Sequence, residues 1–163
     1  MNIFKVNGSF SISKLLGSLL LTFGAGAIGG FFSVNATMIY QSLILPTFAP
    51  PAWVFGPVWM LLYFIIGIAF YRIWMNHKNE GTKNAMFYFI IQLIFNVLWS
   101  VLFFGFSFWL AAVLDILILI NYIIITTIKF YKIDKKSAYL MLPYLAWVIF
   151  AAVLTVSIVL LNG

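Results

Sequence analysis

The sequence predicts an all-α fold, a bundle of five transmembrane helices, and three observations lead there. First, the 163 residues are 65% hydrophobic and only 7% charged, with a mean hydropathy of +1.13, so many apolar side chains must face lipid. Second, apolar runs of about the 20 residues that a helix needs to cross the hydrocarbon core recur five times. They occupy residues 15–34, 52–74, 85–104, 108–128 and 138–161, within a single domain spanning 1–163, and none has the alternating pattern of a membrane barrel. Third, all nine Lys and Arg residues fall in or beside the N-terminal segment and the second and fourth connections. The imbalance suits an odd number of spans and puts the N-terminus on the cytoplasmic side and the C-terminus outside.

The first span follows Lys14 and is too long and glycine-rich for the apolar core of a cleaved signal, so it is read as a retained helix. Ala25, Gly26, Gly29 and Gly30 form overlapping small-residue pairs four apart, the pattern of close helix packing within a protomer or between two. The connection 35–51 is long, uncharged and proline-bearing, which suggests a loop that carries function.

The second span opens on the densest cluster of informative residues, Pro50 to Trp59. Pro51 suits a first helical turn, whereas Pro57, one turn inside, is expected to kink the helix and free a carbonyl. Trp53, near the start, reads equally as an interfacial aromatic or a pocket residue. Trp59 and Tyr63, four apart and deeper, read as an inward face.

In the third span, Gln92, Asn96 and Trp99 share a face at spacings of four and three. Interhelical hydrogen bonding and the lining of a ligand pocket both fit, and the two are compatible. After the short turn 105–107, the fourth span carries Asp115, expected to be buried and hydrogen-bonded because no cationic partner lies at its depth. Asn121 and Tyr122 follow on the same helix. Residues 77–83 and 129–136 read as polar, basic connectors.

Several function classes drop out. A net charge of +6 would suggest nucleic acid in a soluble protein, but the basic residues, Arg72 among them, sit in short segments between apolar runs and suit anionic lipid headgroups, so no nucleic-acid partner is expected. With no cysteine and a single histidine, His77, neither thiolate chemistry nor a metal site is expected. No nucleotide loop, nucleophilic triad or carboxylate pair can be assembled, so no conventional catalytic site is assigned. No inverted repeat marks a transporter.

The pattern PxFxPPxWVFGPVWxxLY from Pro46 to Tyr63, QLxxNxxWS from Gln92 to Ser100, FFG from Phe103 to Gly105, Asp115, and PYLAW from Pro143 to Trp147 occur in order over nearly the whole chain. In these the sequence resembles the TspO/MBR family, the tryptophan-rich sensory and translocator proteins. The resemblance implies a five-helix bundle, commonly homodimeric, with a pocket beneath the first long loop. It implies flat hydrophobic ligands: porphyrins such as protoporphyrin or a haem-like tetrapyrrole, benzodiazepine-type or isoquinoline compounds, and sterols in animal members. No cofactor is required. Carried over by position, the pocket would involve Trp53, Phe55, Trp59, Tyr63, Asn96, Trp99, Tyr144, Trp147, Ala151 and Leu154.

The expected function is that of a membrane receptor or sensory protein binding such ligands, in a bacterial cell membrane and in contact with its lipids. The alternatives are light-dependent porphyrin degradation, with Trp59 and Trp147 as photochemical candidates, or transport. The chain departs from the family at Phe48 and Ile39, where tryptophans are common, and at Val156 and Leu160, where the animal sterol motif has a tyrosine and a basic residue. That motif is absent, which puts sterol binding in doubt.

Overall fold

The computed structural model describes residues 3–163. Among these residues the chain forms six helices, five of them long and apolar enough to span a membrane. They are α1 (Ile12–Phe32), α2 (Ala36–Ser42), α3 (Phe55–Met75), α4 (Thr82–Ser100), α5 (Trp109–Ile133) and α6 (Lys135–Asn162). A 3-10 turn, Ala52–Val54, leads into α3, and α4 ends in a π turn, Val101–Gly105. Around the bundle the spanning helices contact one another in the order α1, α3, α6, α5, α4 and back to α1. Helices fit this chain because each satisfies its own backbone hydrogen bonds, which lipid cannot do. The outward faces are correspondingly apolar, with Leu20 and Phe31 among the most exposed side chains of α1.

Three local features differ from the sequence expectation. Within the connection 35–51 lies α2, whose seven residues are too few to register in a search for membrane-length runs. Pro57 falls in the first turn of α3, where a missing N–H is harmless, because the preceding residues wind as a 3-10 turn. The expected connector 129–136 shrinks to Asp134, since α5 runs on to Ile133 and α6 starts at Lys135. Phe130 is fully buried there, and long lysine stems let a helix continue through the interface. Asp134 supplies the new helix start by accepting from the Lys136 N–H at 3.4 Å and the Ser137 hydroxyl at 2.8 Å.

At this basic end Arg72, counted above with the surface cations, is buried. Its Nε donates to Asp134 Oδ2 at 2.6 Å and its Nη2 to Oδ1 at 3.2 Å, a two-pronged pair joining α3 to the α5–α6 junction. Burial alone would raise the Asp134 carboxyl. The hydrogen bonds from Arg72 and Ser137, the Arg72 charge and the Lys136 N–H together hold it below its ordinary value of 3.8.

The small residues of α1 divide by position. A methyl built on Gly26 would lie 2.6 Å from the buried Tyr63 ring, so only glycine lets α1 approach α3 there. Gly30, one turn on, has no atom within 4 Å of such a methyl.

Gly26→Ala is therefore expected to destabilise the fold by about 1–3 kcal/mol through overpacking, while Gly30→Ala leaves the thermal midpoint in detergent unchanged. For the ion pair, a lowered carboxyl contributes stability that is fully present above pH 3.8 and is lost as the pH falls through its lower folded value. Asp134→Asn should lower the thermal midpoint at neutral pH, and the gap to wild type should close in acid; a gap independent of pH contradicts the assignment.

Candidate functional site

At the end of the bundle opposite the basic one, a cavity of about 510 Å³ lies between α1, α2, the 3-10 turn, α3 and the end of α4. Its volume is that of a pocket for a small organic molecule. The first wall is α1, whose Gly26, Ala27, Gly29, Gly30 and Ser33 leave space where larger side chains would fill it. Ala36, Thr37 and Tyr40 of α2 cover it. The facing wall is aromatic: Phe55, Trp59 and Tyr63 rise along α3 at four-residue spacing, so one face of the helix presents all three rings. Trp99 and Ser100 of α4 and Phe104 of the π turn close the far side. None of the lining residues is charged.

Beneath the aromatic wall runs a buried chain of hydrogen bonds. Tyr63 Oη donates to Asn96 Oδ1 at 2.6 Å, Asn96 Nδ2 donates to Tyr144 Oη at 3.1 Å, and Tyr144 Oη donates to Gln92 Oε1 at 2.7 Å. Side chains of α3, α4 and α6 are thus tied together in an apolar interior. Trp59 stacks on Tyr63 with ring centres 5.6 Å apart and meets Tyr144 edge-on at 6.4 Å. The network therefore sets the tilt of the wall.

The cover is held at both ends. Tyr40 Oη donates to the Pro50 carbonyl at 2.9 Å, and its ring meets Phe55 edge-on at 5.3 Å. Burial raises the Tyr40 phenol above its ordinary value of 10.0. Farther along, the Asn162 side chain pairs with both the N–H (2.8 Å) and the C=O (2.9 Å) of Ile44, pinning the loop to the end of α6. Phe48 packs edge-on against Phe150 at 6.3 Å.

Of the residues carried over by position, Phe55, Trp59, Tyr63 and Trp99 line the cavity. Asn96 and Tyr144 lie in the hydrogen-bonded layer below. Trp147 stands one ring back from the wall, edge-on to Phe55 at 6.0 Å, and Ala151 and Leu154 are buried on the same helix, α6. Trp53 is 74% exposed and outside the cavity, as an interfacial tryptophan would be. On the Gln92, Asn96 and Trp99 face the amides bond between helices, while the Trp99 side chain lines the cavity.

Two corrections follow. Asp115 is buried, at 4% exposure, but is not hydrogen-bonded: neither carboxyl oxygen has a partner among the described residues, because no donor side chain reaches it. The small residues of α1, read as packing elements, also make the room in the cavity. Their spacing is the same for either role, which is why the sequence does not separate them. Thr37, Tyr40, Met60 and Phe104 were missed as lining residues. Thr37 and Tyr40 depend on α2 and Phe104 on the π turn, neither of which leaves a periodic signal, while Met60 lies on α3 next to Trp59 and was passed over as an ordinary apolar residue.

The site offers a flat aromatic wall, a small-residue wall opposite and few polar groups. The Trp99 indole N–H has no partner among the described residues. No group of His, Asp or Glu side chains able to hold a metal exists among the described residues.

Comparison with known proteins agrees with this architecture. A sequence model of the TspO/MBR family matches residues 18–161. The chain is 42% identical over 155 residues to the tryptophan-rich protein TspO of Archaeoglobus fulgidus, covering 94% of this chain and 99% of that one. It is 36% identical over 147 residues to the protein of the same name from Chlorobaculum tepidum, covering 87% and 91% of the two chains. To the human translocator protein it is 33% identical over 117 residues, covering 71% of this chain and 69% of that one.

Proposed function

The chain belongs to the TspO/MBR family, and from that premise we propose that it is a membrane receptor binding tetrapyrroles and similar flat hydrophobic molecules in the cavity between α1 and α3. The observation that carries this reading is the uncharged cavity with Phe55, Trp59 and Tyr63 on one face. A planar ligand gains by stacking on such rings, and the glycines opposite admit its thickness. Tyr63, Asn96, Tyr144 and Gln92 act from below, holding the wall in place. In this reading Trp147, Ala151 and Leu154 form a second layer behind it. With every Lys and Arg toward the other end of the bundle, the N-terminus is cytoplasmic and the cavity end faces out of the cell.

Light-dependent oxidation of a bound porphyrin is a second reading, and one observation favours it. Trp59 lies against both Tyr63 and Tyr144, so a ligand stacked on it would touch an oxidisable ring that itself contacts two others. Binding needs only the wall, whereas oxidation also needs light and an oxidant. Binding is accordingly the primary proposal.

Spectral titration with protoporphyrin in darkness tests it. Trp59→Ala is expected to weaken binding by about tenfold or more, equivalent to ~1.4 kcal/mol, Trp59→Phe by less, and Trp53→Ala to stay within about twofold of wild type. Equal losses at Trp53 and Trp59 would place the ligand elsewhere. Illumination at matched porphyrin occupancy then separates the second reading, because Trp59→Phe should lower product yield more than it lowers dark affinity. Unchanged yield removes the chemical role and leaves the receptor.

A further inference from the structure

At the basic end, residues 3–11 fold into a small hairpin. Val6 and Ser9 exchange two backbone hydrogen bonds of 2.9 Å around Asn7 (φ 50°) and Gly8 (φ 79°), the left-handed pair that a two-residue turn requires. The hairpin is fastened to α3 and to the residue that follows it. Tyr71 Oη donates to the Phe4 carbonyl at 2.9 Å and accepts the Ser11 N–H at 3.2 Å. Arg72 Nη1 donates to the carbonyls of Ile3 (2.6 Å) and Lys5 (3.3 Å), and Asn7 Nδ2 donates to Asn76 Oδ1 at 3.2 Å. Val6 is buried beneath. Bonds of this number fix the segment as a part of the fold.

An open groove lies between this hairpin and the start of α1, lined by Phe4, Lys5, Phe10 and Leu15. Phe10 is 50% exposed, and Ile12 and Leu16 beside it are exposed as well, so the groove runs on into the lipid-facing surface of α1. Lys5 is exposed, and its ammonium makes no hydrogen bond or ion pair among the described residues. Asp134, joined to this segment through Arg72, has both oxygens on that guanidinium.

We propose that the hairpin and the first turn of α1 form a binding site for one anionic phospholipid, its acyl chain in the Phe4–Phe10–Leu15 groove and its phosphate on Lys5. An apolar groove continuous with the lipid-facing surface of α1, lined in part by the stem of an exposed lysine, is the complement of an amphiphile with a negative headgroup. General attraction of anionic lipid to a basic surface involves every lysine at that end. A built site differs because it depends on Lys5 and Phe10 in particular.

Native mass spectrometry of the full chain, released from nanodiscs of phosphatidylcholine mixed equally with phosphatidylglycerol, reads this out. Wild type should retain one phosphatidylglycerol per protomer. Lys5→Gln and Phe10→Ala should each reduce the retained fraction by about fivefold, Lys5→Arg should restore it, and Lys135→Gln, the same change of charge at the same end, should leave it intact. Each variant's thermal midpoint in pure phosphatidylcholine confirms that it folds; the Lys5 substitutions change only the side chain and leave the carbonyl that Arg72 holds. Equal losses for Lys5→Gln and Lys135→Gln, or equal retention of phosphatidylcholine, would overturn the proposal and leave diffuse surface attraction.

Discussion

Lipid offers a polar side chain no partner, so hydrogen-bonding groups that spanning helices carry inward are stabilised when they meet each other. In this protein the groups that meet are Tyr63, Asn96, Tyr144 and Gln92, one from α3, two from α4 and one from α6. Each such bond within a bilayer is worth only about 0.6–2 kcal/mol. Their larger effect is positional. A phenol tied at 2.6 Å to Asn96 cannot swing, so the Tyr63 ring becomes a fixed surface on which Trp59 stacks and against which Gly26 of α1 closes. The aromatic wall, the α1–α3 approach and the shape of the cavity all follow from one polar chain that joins three helices and ends at Gln92, whose Nε2 has no partner among the described residues.

The two ends of the bundle solve different problems with the same economy of polar groups. At the basic end a buried guanidinium serves both Asp134 and the carbonyls of the N-terminal hairpin, so one side chain joins α3, the α5–α6 junction and the segment preceding α1. At the other end no charge lines the cavity, and the cover is held by neutral bonds, Tyr40 to Pro50 and Asn162 to Ile44. An arrangement of this kind leaves one end braced by charge and the other lined by uncharged side chains.

Much of this is legible in the residue pattern, and the remainder is obscured for identifiable reasons. The five spans emerge from length and hydropathy because the bilayer sets both. The spacing of Trp59 with Tyr63, and of Gln92 with Asn96 and Trp99, reveals inward faces because apolar surroundings make polar residues conspicuous. Reading Arg72 as a surface cation failed because its partner is distant in sequence, and only the shortening of the α5–α6 connection to Asp134 brings the two together. Likewise α2 and the π turn at Val101–Gly105 have no membrane-length signature, yet they bring Tyr40 and Phe104 to the cavity. Which of the carried-over positions touch the cavity directly, and which stand a ring behind it as Trp147 does, depends on helix rotations that spacing alone does not fix.

The central claim is that a planar ligand lies between the glycine wall of α1 and the Trp59–Tyr63 stack. An experimental structure of the protein with protoporphyrin bound tests it most directly. Macrocycle density is expected within van der Waals contact of Trp59 and beside Gly30, with the hydrogen bonds from Tyr63 through Asn96 to Tyr144 unchanged. Density on the lipid-facing side of α5 or at the exposed Trp53, with the space beside Trp59 still open, would contradict it.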